Sequence, residues 1–111
     1  MLELRPNCER CDRDLPRDST EAMICTYECT FCKKCVDKFM QNVCPNCGGG
    51  FVPRPIRPKV ARRDGVGIEH QSASTHRVHT KYTVEELHEF SEKIKNINLN
   101  LTLTVAFRWV N

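Results

Sequence analysis

The 111-residue chain has no apolar run approaching the roughly 18 residues that a membrane-spanning helix needs. Its opening, MLELRPNCER, is not apolar either, so the expectation is a protein without a secretory signal, in a reducing cytoplasm. Histidine is missing from the cysteine-bearing part: His70, His76, His79 and His88 all come later. A catalytic zinc site keeps an open position and usually draws on His or carboxylate ligands, so this absence argues against metal catalysis, and no enzyme activity is expected. Aromatic residues make up 7% of the chain, with a single Trp. So few are needed for a small core, and Tyr27, Phe31 and Phe39 are read as core residues rather than as a stacking platform for bases. No internal repeat joins the first half to the second.

What the chain does have is eight cysteines within forty residues, in the pattern C-x2-C-x13-C-x3-C-x2-C-x2-C-x8-C-x2-C. The residues are Cys8, Cys11, Cys25, Cys29, Cys32, Cys35, Cys44 and Cys47. Two intervening residues let a tight turn aim both sulfurs at one point, as tetrahedral thiolate coordination of zinc requires. Eight thiolates suffice for two closed four-sulfur sites, hence two structural zinc ions. Disulfides and an iron–sulfur cluster are the competing uses of such thiols. A segment of about 45 residues buries too little apolar surface to be stable unaided, so cross-links or metal must organise it.

Composition divides the remainder. Residues 1–50 hold the cysteines, with a short strand expected around Met23–Ile24. A helix is expected after Cys32, where Val36, Phe39 and Met40 share one face. Lys33 and Lys34 stand beside the sulfurs and are read as a solvated helix face. Residues 51–73 are rich in Pro and Arg and read as a basic linker in polyproline II or without order. Net charge is −1 over 1–47, +4 over 48–64 and zero over 65–111, which gives the total of +3. Residues 74–111 read as strand, helix and strand. The alternation from His76 to Tyr82 is weak, Thr83 with Glu86 forms a capping-box pattern opening a helix over 84–96, and a period of two runs from Leu99 to Trp109. That last strand, 98–110, exposes an edge that could pair with a second copy, so homo-oligomerisation through it is one expectation.

The ligand spacing resembles that of a RING finger, the cross-braced, treble-clef-like zinc fold of many ubiquitin ligases, and Cys44-Pro45-Asn46-Cys47 matches its frequent C-P-x-C ending. The resemblance implies a small α+β domain in which Cys8, Cys11, Cys32 and Cys35 hold one zinc and Cys25, Cys29, Cys44 and Cys47 hold the other. Two positions depart from the ligase pattern. Glu9 stands where an apolar residue usually follows the first ligand, and Gly48 stands where a basic residue often follows the last. The chain over about 1–58 also resembles Domain of Unknown Function 1272, a family of short bacterial proteins. The segments that carry this are L-E-L-R-P-N-C-x-x-C-D-R-D-L-P, A-M-I-C, E-C-T-F-C and C-P-N-C-G-G. That family brings eight cysteines and no assigned activity.

The expected function is therefore a non-enzymatic zinc-binding module acting on protein or nucleic acid. A ligase-like adaptor that recruits a conjugating enzyme is the alternative. Arg54, Arg57, Lys59, Arg62 and Arg63 form the candidate phosphate-contacting arm, with a solubilising linker as its plainer reading. His76-x2-His79 could chelate a further metal, but no third ligand is placed by spacing.

Overall fold

The computed structural model describes residues 1–95. The expected strand at 98–110, and the pairing with a second copy that would use it, lie outside them.

Three short loops present cysteine pairs, and the first and third share one backbone design. In the first, the Cys8 N–H donates to the Arg13 carbonyl (2.8 Å) and the Asp12 N–H to the Cys8 carbonyl (2.9 Å). The third repeats this, with Cys44 N–H to Gly49 O and Gly48 N–H to Cys44 O, both 2.8 Å. Closing such a ring takes one left-handed residue directly after the second cysteine, and Asp12 (φ 63°) and Gly48 (φ 79°) supply it. The middle loop carries one extra residue, and there Glu28 (φ 66°) turns left-handed just before Cys29. Asp12 manages this conformation because short polar side chains tolerate it best after glycine.

The middle loop is also the tip of a hairpin. Strand β1 (Ala22–Ile24) pairs antiparallel with β2 (Thr30–Cys32), matching Met23 with Phe31, and on its other side with β3 (Val52–Pro53). Sheet order is β2-β1-β3. Pro53 lacks an N–H and is tolerated on an edge strand. The strand β2 runs directly into α1 (Lys33–Cys35), which continues as a π-helical stretch, Val36–Met40. The face foreseen for this helix is largely as expected: Val36 and Met40 are buried and Phe39 is half-buried. The stretch ends on two left-handed residues, Gln41 (φ 47°) and Asn42 (φ 62°), and both their N–H groups turn back to the Val36 carbonyl. Lys33 pairs with Asp37 at the surface (3.1 Å), as a solvated helix face should.

The core between sheet and helix is small. Phe31 packs edge-on against Phe51, with ring centroids 5.5 Å apart, beside Leu15, Val36 and Met40. Tyr27 departs from the expected core: it is 72% exposed at the hairpin tip. The tip is committed to presenting sulfurs inward, which turns the intervening side chains out.

Residues 51–73 are held to this unit more firmly than a composition reading foresees. Phe51 is buried, β3 completes the sheet, and Arg54 is only 5% exposed. The Arg54 guanidinium donates to the carbonyls of Arg5 (2.8 Å), Pro16 (2.9 Å) and Leu15 (3.2 Å). Arg57 donates to the carbonyls of Leu2 (2.7 Å) and Gln71 (2.8 Å). Segment 74–82, foreseen as a weak strand, is extended but forms no sheet strand. It runs along residues 4–9 instead.

Helix α2 spans 84–95 in the described residues. Its capping box is formed reciprocally: the Thr83 N–H donates to Glu86 Oε1 (2.9 Å) and the Glu86 N–H to Thr83 Oγ1 (3.1 Å). Leu87 enters the core and Ser91 is buried, whereas Val84 is exposed. Gln41 ties the two helices together, donating to Ser91 Oγ and Glu92 Oε2, both at 2.8 Å.

Candidate metal centre

Two groups of sulfurs converge. Cys8 and Cys11, from the first loop, meet Cys32 at the end of β2 and Cys35 in α1, with all four sulfur atoms within 4.8 Å of one another. Cys25 from the hairpin tip meets Cys44 and Cys47 from the third loop within the same limit. Along the chain, the pairs of the first group alternate with those of the second. Cys29 lies beside the second group: its sulfur accepts a hydrogen bond from Asn46 Nδ2 (3.4 Å), but it is not within that limit of all three sulfurs. Among the described residues no histidine joins any such group, and His76 and His79 are surface residues.

The donor set fits a tetrahedral thiophilic ion. Bonds of about 2.3 Å to zinc would place the sulfurs about 3.8 Å apart. The Cys11 and Cys32 sulfurs are 3.9 Å apart, well beyond disulfide bonding, and all eight cysteines are free. Six of the eight are buried, while Cys11 and Cys47 are exposed, one in each group.

Backbone geometry prepares the sulfurs for negative charge. The Tyr27 N–H donates to Cys25 Sγ (3.3 Å) and the Gly49 N–H to Cys47 Sγ (3.4 Å). Within the first group, a hydrogen bond from the Cys35 thiol holds Cys8 down at about 4, against the opposing effect of burial. The same pairing with Cys8, reinforced by burial, pushes Cys35 up. In the second group burial pushes Cys44 up. Burial acts on Cys25 too, but the backbone N–H donors of Tyr27 and Cys29 outweigh it and the thiol ends below its ordinary value. Burial likewise raises Cys29 despite the Asn46 hydrogen bond. Each group thus sets a thiol shifted towards ionisation beside one shifted against it, Cys8 beside Cys35 and Cys25 beside Cys44.

Lys33 and Lys34, read from the sequence as a solvated face, are both exposed, and the side-chain donor to Cys35 is Arg10 instead. Its Nε lies 3.1 Å from Cys35 Sγ and its guanidinium stacks 4.0 Å from the Phe39 ring centroid. Asn46 occupies the corresponding place in the third loop. A signal existed for both: each stands directly between two knuckle cysteines, where a side chain can reach a sulfur contributed by another element.

Glu9, also between two knuckle cysteines, is 2% exposed. Its carboxylate accepts from Arg5 Nη1 and from the Thr30 N–H, both at 2.7 Å, linking the first loop to the start of β2.

The sequence pattern of the family described as protein of unknown function (DUF1272) matches residues 1–57. An uncharacterised protein of Rhizobium meliloti (strain 1021) is 66% identical over 58 residues, which is 52% of this chain and 69% of that relative. No solved structure matches the chain significantly. The matched stretch contains every cysteine, β1 to β3 and both arginine staples, and on this ground the chain belongs to the DUF1272 family.

Proposed function

We propose that the protein is a non-enzymatic zinc-binding module in which two structural zinc ions stand in for a larger hydrophobic core, and whose outer surface binds protein. The observation that carries the reading is the pair of alternating sulfur groups, Cys8, Cys11, Cys32, Cys35 and Cys25, Cys44, Cys47. Sulfur-only donors favour zinc among divalent ions available without redox chemistry. With Cys29 completing the second set, both shells are closed, which leaves no position for a reacting water. Alternation of the two groups along the chain supports a RING-like cross-brace, in which removing either ion would free the two ends of the same unit.

The ligase-like alternative is weaker on this chain. Glu9 is turned inward to Arg5 and Thr30, and Gly48 lies against Phe90 of α2, where an added Cβ would be 3.8 Å from the ring. A conjugating enzyme would meet the chain's own C-terminal segment at both places. A nucleic-acid role through the basic arm loses two of its five cations, since Arg54 and Arg57 are engaged with backbone carbonyls. Lys59, Arg62 and Arg63 remain exposed.

Metal analysis of full-length protein purified without added metal tests the reading. Two zinc ions per chain are expected. An ordered chain with no metal, or with iron and an absorbing cluster, would overturn it.

A further inference from the structure

Segment 74–80 is bound by the cysteine unit much as a separate peptide would be. It runs parallel to residues 4–9, with the Ser74 N–H donating to the Leu4 carbonyl (3.0 Å) and the Thr80 N–H to the Glu9 carbonyl (2.6 Å). Midway, the fully buried side chain of Asn7 grips both backbone groups of Val78: its Nδ2 donates to the Val78 carbonyl (2.9 Å) and its Oδ1 accepts the Val78 N–H (3.3 Å). Val78 and Thr80 face inward while Arg77 and His79 face out. The outward Arg77 forks across two carboxylates, Asp12 Oδ1 and Asp14 Oδ1, both at 2.8 Å, and also donates to the Asp12 carbonyl.

Every receiving group lies within the family-matched residues 1–57, and every group received lies outside them. Main-chain pairing gives sequence-independent grip, and a fork of two carboxylates selects arginine at one position. We propose that the cysteine unit carries a docking groove for an extended, arginine-bearing segment of a partner protein, and that residues 74–80 of this chain occupy it in cis. The groove recognises Arg followed by a β-branched residue, with a threonine-sized side chain two positions further on. This deepens, and rests on, the reading of the protein as a zinc-organised interaction module.

The test uses the full chain and a fluorescent synthetic peptide, Ser-Ala-Ser-Thr-His-Arg-Val-His-Thr-Lys-Tyr-Thr, copied from residues 72–83. Two variants open the groove: Val78→Pro combined with Arg77→Ala, and Arg77→Glu alone, which faces Asp12 and Asp14 with a like charge. Each should keep two zinc ions and bind the peptide at least tenfold more tightly than the unaltered chain. Adding Asp12→Asn and Asp14→Asn should weaken that binding at least tenfold. Zinc-loaded open variants that ignore the peptide, or bind it regardless of Asp12 and Asp14, overturn the proposal while leaving the zinc reading intact. So does loss of zinc from both open variants, since the segment would then be part of what folds the unit. Absence of zinc from the unaltered chain would instead sink the reading on which the proposal rests.

Discussion

Single side chains decide how firmly each sulfur group is held. Arg10 connects Cys35 to Phe39, so Arg10→Ala removes both a donor to a thiolate and a cover over the helix. Substitution of such outer donors typically costs about 10- to 100-fold in metal affinity. Zinc transfer to a chromophoric chelator should therefore quicken for one of the two ions and stay unchanged for the other; equal quickening of both would refute a role confined to the first group. Glu9 is a different case, a buried acid whose partners are Arg5 and the Thr30 N–H. Glu9→Ala strands the buried Thr30 N–H and leaves Arg5 with Glu3 alone (3.0 Å), a loss of about 2 kcal/mol. Urea titration of the zinc-loaded protein should show a drop of that size with an unchanged denaturant slope. The contact of Arg10 had a signal in its place between two knuckle cysteines, whereas the buried role of Glu9 had none. Arg5 is only four residues from Glu9, but Thr30 is brought to it by the hairpin.

At the scale of elements, the knuckles and the basic arm behave differently from one another. The third knuckle needs a left-handed residue at Gly48, where an added Cβ would make only an ordinary contact with Phe90 (3.8 Å). Gly48→Ala should thus cost about 1 kcal/mol through backbone strain alone, read from the shift in thermal midpoint, without changing zinc stoichiometry. The arm was legible as basic and proline-rich, yet composition could not reveal its anchoring. The carbonyls that hold Arg54 belong to Arg5, Leu15 and Pro16, distant in sequence and aligned only by the fold. Arg54→Ala should destabilise by about 3 kcal/mol, since it leaves buried carbonyls without a charged donor. Arg62→Ala and Arg63→Ala, both exposed, should each fall within about 0.5 kcal/mol of the parent. Similar losses for all three would mean the arm is uniform after all. The capping box of α2 was the opposite situation: Thr83 and Glu86 are three residues apart, so the signal and the structure that it forms are both local.

For the whole molecule, the proposed zinc module makes metal binding and folding one equilibrium. Each thiol must release its proton to bind a cation, so the loaded folded state carries fewer protons than the unfolded chain. Stability of the holo-protein accordingly rises with pH up to the ordinary thiol range, and is lost as acid returns protons to sulfur. Chelation at neutral pH should abolish the circular dichroism of the cysteine unit, with zinc restoring it. Secondary structure that survives complete metal removal would contradict this. Helix α2 packs on the cysteine unit through Leu87 and the Gln41–Ser91 contact.

The sequence by itself determined where metal can be gripped, because a knuckle is a contact between neighbours and its spacing is written directly in the chain. It also determined the start of α2, for the same reason. Which knuckle meets which, why Tyr27 faces water, and how Arg54 comes to rest among carbonyls were decided only by the tertiary structure. Those outcomes depend on groups up to 49 residues apart. Local pattern carries no record of such distances, whereas burial and the need of buried backbone carbonyls for donors enforce them.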